Sequence, residues 1–72
     1  MPSFEIRVTT GSAGAILRAA TERAAAAKAE GLIRRAHHRG AAIAVAVAGN
    51  DDQAVRRIEL YLADVISEVE RA

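Results

Sequence analysis

The sequence predicts an α+β fold: a three-stranded antiparallel sheet with two helices on one face, in the order β-α-β-β-α, as a single domain over residues 1–72. Three observations predict it. SFEIRVTT at 3–10 alternates strictly between apolar and polar residues. AAIAVAVA at 41–48 is an almost wholly apolar run of strand length. NDDQAVRRIELYLADVISEVER then opens on capping residues and repeats its apolar positions at helical spacing.

In the first strand, 3–10, Phe4, Ile6 and Val8 point one way and Ser3, Glu5, Arg7 and Thr9 the other, giving one dry and one wet face. Gly11 and Ser12 end it, and Ser12 is placed to cap a helix over 12–30. Ala13, Ile16, Leu17, Ala20, Ala24 and Ala27 form that helix's stripe, and alanine propensity carries it. Continued to Arg39, the helix would be about 42 Å long against about 23 Å for a seven-residue strand. Leu32 and Ile33 also fall out of phase with the alanine stripe. Gly31 suits a C′ position, so the helix is ended near Glu30. A strand at 32–37 then reverses through His38–Gly40 into the strand at 41–48; one long helix and two strands is the alternative.

In the last strand Ile43, Val45 and Val47 share the face expected to meet the helices, and Ala42, Ala44, Ala46 and Ala48 share the other. A continuous apolar run suits a central strand, which gives the spatial order 1–3–2. The final helix, 51–71, begins at Asn50, with Gln53 completing a capping box and Asp51 and Asp52 in the first turn. Val55, Ile58, Leu62, Val65 and Val69 form its buried stripe, widened by Ala54, Tyr61 and Ile66. Leu60 projects nearly opposite that stripe. Beside Tyr61 it marks a partner surface.

The bulk numbers narrow the function. A chain of 72 residues buries only about 60 % of the surface its unfolded form exposes. Much of its 51 % hydrophobic content is alanine, which adds little area, so association with a partner is expected. Absence of cysteine removes disulfides, thiolate metal sites and cysteine nucleophiles. No apolar run is long enough to span a bilayer and no signal-peptide pattern opens the chain, so a soluble cytoplasmic protein without membrane contact is the simplest reading.

The motifs point away from catalysis. His37 and His38 would face opposite ways on a strand and have no third imidazole, so they are not read as a metal site. Thr10 and Ser12 lack a nucleophile-elbow context. GSAG at 11–14 lacks the lysine of a phosphate loop and the third glycine of a dinucleotide fingerprint, and turn geometry explains it. Asp51 and Asp52 are explained by the helix N-terminus. No catalytic residue and no cofactor is expected. The densest charge feature is Arg34, Arg35, His37, His38 and Arg39, read either as solvated surface or as contact with a nucleic-acid backbone, which Arg56 or Arg57 can extend. No aromatic residue interleaves it, so such contact would follow shape and not base identity.

Two segments resemble the Pcc family, the small dimerising subunit of the KEOPS complex. SFEIRVTTGSAGAILRAATERA is similar to the family's opening strand and helix. The apolar strand followed by GNDDQAVRRIELYLADVISEVE is similar to its acidic turn, arginine and apolar-striped helix, with Arg56 on the arginine and Ile58, Leu62, Val65 and Ile66 on the apolar positions. Together they cover roughly two-thirds of the chain; residues 24–40 match least. The resemblance implies a three-stranded antiparallel sheet with both helices on one side and a homodimer joined through its sheets. It further implies a non-catalytic scaffold that binds the catalytic subunit of tRNA threonylcarbamoyladenosine modification and helps to engage tRNA. By that analogy Arg23, Arg56, Leu60, Tyr61 and Asp64 face the catalytic carbamoyltransferase subunit, and Arg34, Arg35 and Arg39 face tRNA. A different assembly protein, such as a microcompartment-shell-like tile, and a stand-alone nucleic-acid-binding domain are the competing classes.

Overall fold

Five elements follow one another in the computed structural model, which describes residues 3–11, 13–38, 40 and 42–71. They are β1 (Phe4–Thr10), β2 (Ala13–Ala19), α1 (Glu22–His38), β3 (Ile43–Gly49) and α2 (Asp52–Arg71). The three strands form one antiparallel sheet in the order β2-β1-β3, and both helices cover the same face. The fold class is the one expected, but its element order is β-β-α-β-α, and two internal elements differ from the expectation.

Residues 13–19 are a strand and not part of a helix over 12–30. Thr10 pairs with Ala13 across a two-residue connection in which Gly11 has φ +62°. Short hairpins need such a left-handed residue, and glycine takes it without steric cost. Alanine suits a helix or a strand and a dry or a wet face, so the periodicity of AGAILRA carries little information. Its helix propensity exceeds that of other residues by only a few tenths of a kcal/mol. Pairing along the whole of β1 outweighs that, and it sets Leu17 and Ala19 beside Ile6 and Phe4. The proposed capping role of Ser12 lies outside the described residues.

The helix begins at Glu22. Thr21 caps it: its Oγ1 accepts the Ala24 N–H at 3.1 Å and its carbonyl accepts the Ala25 N–H at 3.0 Å. Ala25, Ala29, Ile33 and Ala36 are its buried positions, spaced four, four and three apart. Residues 32–37 are therefore the end of α1 and not a strand, and Gly31 sits inside the helix instead of ending it. The objection of length disappears because seventeen residues span about 25 Å, close to a seven-residue strand. Past His38, Gly40 takes φ +73° and its N–H donates to the His37 carbonyl at 2.8 Å, closing the C-terminus. The expected reversal at His38–Gly40 is thus a helix end; Arg39 and Ala41 lie outside the described residues.

β3 pairs with β1 alone and is an edge strand, not the central one. Its expected faces hold: Ile43, Val45 and Val47 are half-buried against the helices, and Ala44, Ala46 and Ala48 are exposed. β1 is central instead, with Phe4, Ile6 and Val8 buried. At the start of α2 the cap is Asp51, one residue later than Asn50. Its Oδ1 accepts the N–H groups of Gln53 at 3.1 Å and Ala54 at 3.2 Å. Ala54, Ile58, Leu62, Val65 and Val69 are buried, with Val55 and Ile66 half-buried beside them. Ile6, Val8, Ile33, Ile58 and Leu62 form the centre of the core.

Candidate functional site

The helix layer presents a groove whose residues come from both helices. α1 rests on β1 and β2, α2 rests on β3, and their buried stripes bring them side by side. Ala26 and Ile58 form its apolar floor, flanked by Glu22, Arg23, Arg57 and Tyr61, around a volume of about 530 Å³. Polar clips join the two rims. Arg57 Nε and Nη2 donate to both Glu22 carboxylate oxygens at 2.9 and 2.8 Å, a two-point pairing that fixes the direction of both side chains. The Tyr61 hydroxyl donates to the Glu30 carboxylate, which also accepts Arg34 Nε at 2.9 Å. Arg34 lies 3.9 Å from Glu68 on α2 as well.

These contacts set the local titration. The Arg57 hydrogen bonds hold the Glu22 carboxyl below its ordinary value of 4.5. The Tyr61 hydroxyl, and then Arg34, do the same for Glu30. Reciprocally, Arg57 is raised by its hydrogen bond to Glu22, and the Glu30 carboxylate raises the Tyr61 hydroxyl above 10.0. The rims stay charged and fixed at neutral pH while the floor stays apolar. Such a surface suits a protein partner: an apolar centre within a polar, oriented border.

The structure unites some of the expected partner residues and separates others. Arg23 and Tyr61 share the groove. Leu60 is 57 % exposed on the outer side of α2, and Asp64 is exposed one turn further on. Arg56 is exposed and does not border the groove; seven residues before Ala63, it shares the outward face of α2 on which Ala63 lies next to Val45 and Val47 of β3. Glu22 and Glu30 were not among the expected residues, and Arg57, expected only as an extension of the basic strip, pairs with Glu22 instead. Glu30–Arg34 is a helical i,i+4 pair, legible once α1 is continued through Gly31. Glu22 and Arg57 lie 35 residues apart and carry no local signal.

The expected basic set is also divided. Arg34 pairs with Glu30 one turn earlier on α1 and lies near Glu68 of α2, and the two carboxylates offset its charge. Arg35 turns toward the hairpin and borders a cavity of about 310 Å³ with Thr10, Ala13, Gly14, Ala15 and Leu32. Small residues on β2 leave that space open beneath the helix. Arg39 lies outside the described residues.

Among the described residues, no helix covers the sheet's other face. Across it lie three rows: Arg18–Glu5–Ala48, Ile16–Arg7–Ala46 and Gly14–Thr9–Ala44. Arg18 and Glu5 form an ion pair at 3.1 Å, and Ile16 is 56 % exposed. Among the described residues no cluster of three or more His, Asp or Glu is placed to hold a metal, and no helix is long and apolar enough to cross a membrane.

Comparison with known proteins finds no matching family model, and no curated protein or solved structure is significantly similar to the chain.

Proposed function

We propose that this chain is a non-catalytic scaffold subunit that forms a homodimer through its sheet and binds a larger subunit through its helix layer, within a tRNA-modifying complex of the KEOPS kind. The observation that carries the reading is the groove between the helices, where Arg23 and Tyr61 converge over an apolar floor with clipped rims. The fold supports it too: one sheet face carries both helices, while among the described residues the other face and both edges are left for association. The catalytic step belongs to the partner. Contact with tRNA in the assembled complex falls to Arg35 and Arg39, since Arg34 is already paired within the chain.

The reading is tested by affinity purification of the tagged chain, followed by identification of what it retains. A carbamoyltransferase-like subunit of the sugar-kinase superfold is expected. The double substitution Leu60→Ala and Tyr61→Ala should reduce its retention on the order of ten-fold or more, as loss of large interface side chains does, while dimer mass is unchanged. Undiminished retention would remove the helix layer as the docking surface. A monomeric native chain would remove the dimer.

A further inference from the structure

The unpaired edge of β3 has an unusual composition for an edge. Its seven residues, IAVAVAG, include no charge, no proline and no bulge, the devices by which exposed edges are ordinarily blunted. Its outward main-chain groups are a template for another strand. Beside it, Val45 and Val47 form a shallow groove of about 130 Å³ with Glu59, Leu62, Ala63 and Ile66 of α2.

Two centres coincide here. The middle of β3 is Ala46, so antiparallel pairing of two identical copies about Ala46 matches all seven residues. That register sets Ala44 against Ala48 and Val45 against Val47 of the other copy, uncharged pairs on both faces. The helix residues bordering Val45 and Val47 are themselves centred between Leu62 and Ala63. A two-fold axis through Ala46 therefore passes α2 near Ala63, whose small side chain permits close approach of two helices. Residues seven before and seven after Ala63 lie on the same face of α2: they are Arg56 and Glu70. Both are exposed, and among the described residues neither forms an ion pair. The remaining acid of this flank, Glu59, would oppose the uncharged Ile66 and Ser67.

We infer that β3 pairs antiparallel with β3 of a second copy about a two-fold axis through Ala46, closing a six-stranded sheet in which Arg56 of each copy meets Glu70 of the other. This rests on the homodimer proposed above and specifies its geometry. It also assigns Arg56 to the dimer and not to the catalytic-subunit surface. Isologous symmetry makes each contact occur twice. On the open face, Ala44, Ala46 and Ala48 of both copies would join into one flat apolar platform at the middle of the dimer.

Charge exchange tests it, by sedimentation equilibrium of the purified chain at low salt. Arg56→Glu alone sets glutamate against Glu70 twice, and Glu70→Arg alone sets arginine against Arg56 twice. Each should weaken dimerisation on the order of ten-fold or more, since facing like charges are strongly unfavourable. Mixed in equal amounts, the two variants restore opposite charges at both contacts and should form a heterodimer. The double variant R56E/E70R should recover the native dimer, which also shows that neither change impairs folding. A native dimer unmoved by either single change, or singles not rescued by mixing, would overturn this geometry while leaving the homodimer standing. A monomeric native chain would overturn the homodimer as well.

Discussion

Two glycines show how one added methyl group acquires opposite signs. Gly31 lies inside α1 with a helical backbone, and a Cβ there would meet nothing within 4 Å. Alanine should remove unfolded-state entropy without strain, so Gly31→Ala is expected to stabilise the chain by about 0.5–1 kcal/mol. Gly49 ends β3 opposite Phe4, and a Cβ there would lie 2.8 Å from Phe4 Cδ1, 3.1 Å from the Ser3 carbonyl and 3.2 Å from Val55 Cγ2. Phe4 is a buried ring held by the core and the carbonyl is backbone, so neither yields readily. Gly49→Ala should destabilise by about 1–3 kcal/mol, the usual range for overpacking. Urea unfolding of both variants checks the pair. The Gly31 result also bears on the helix boundary, because a C′ glycine in the left-handed region would be harmed by the same change.

At the scale of elements, what could be read from the sequence depended on side-chain size. β1 was legible because Phe4, Ile6 and Val8 alternate with Glu5, Arg7 and Thr9, and α2 because Ile58, Leu62, Val65 and Val69 are too large to face water together. Between them, residues 13–30 are mostly alanine and glycine, whose burial costs and gains little, so period alone could not choose between strand and helix. Two short signals were present. Gly11-Ser12 is a two-residue hairpin connection, and Thr21 is a helix cap followed by Glu22. Reading both moves the start of the helix from 12 to 22 and brings Ala25, Ala29 and Ile33 into phase without ending the helix at Gly31. The groove was half legible for the same reason. Leu60 stood out as a large side chain off the stripe and drew attention to Tyr61 beside it, although Tyr61 was expected to widen the buried stripe and is 45 % exposed. Glu22 and Arg57, by contrast, meet only through the tertiary fold. The cap carries a prediction of its own. Thr21→Ala should cost about 1 kcal/mol by leaving the Ala24 N–H without its acceptor, shown as a lower urea midpoint at unchanged m-value.

For the molecule as a whole, the contacts between the helices are of two kinds with different responses to acid. The buried stripes are apolar and indifferent to pH, while the rims are joined through Glu22 and Glu30. Both carboxyls are held below 4.5 in the folded chain, Glu22 chiefly by the Arg57 hydrogen bonds and Glu30 chiefly by the Tyr61 hydroxyl. With a folded value below the unfolded one, the folded state binds fewer protons, so the stabilisation is fully present above 4.5 and fades as pH falls through the lowered folded values. Tyr61 has the opposite sense. Its raised folded value means that its contribution is present below 10.0 and fades as pH rises through the folded value. Thermal unfolding of the native chain and of the double variant E22Q/E30Q from pH 3 to 7 should therefore give melting curves that differ at pH 6–7 and converge toward pH 3. Because these groups are solvent-exposed, the gap should be small and should shrink further in 1 M salt. A gap constant across the range would mean that the clips do not hold the rims in solution. In that case the groove is shaped by its apolar floor alone, and the helix stripes, not the ion pairs, orient Tyr61 toward a partner.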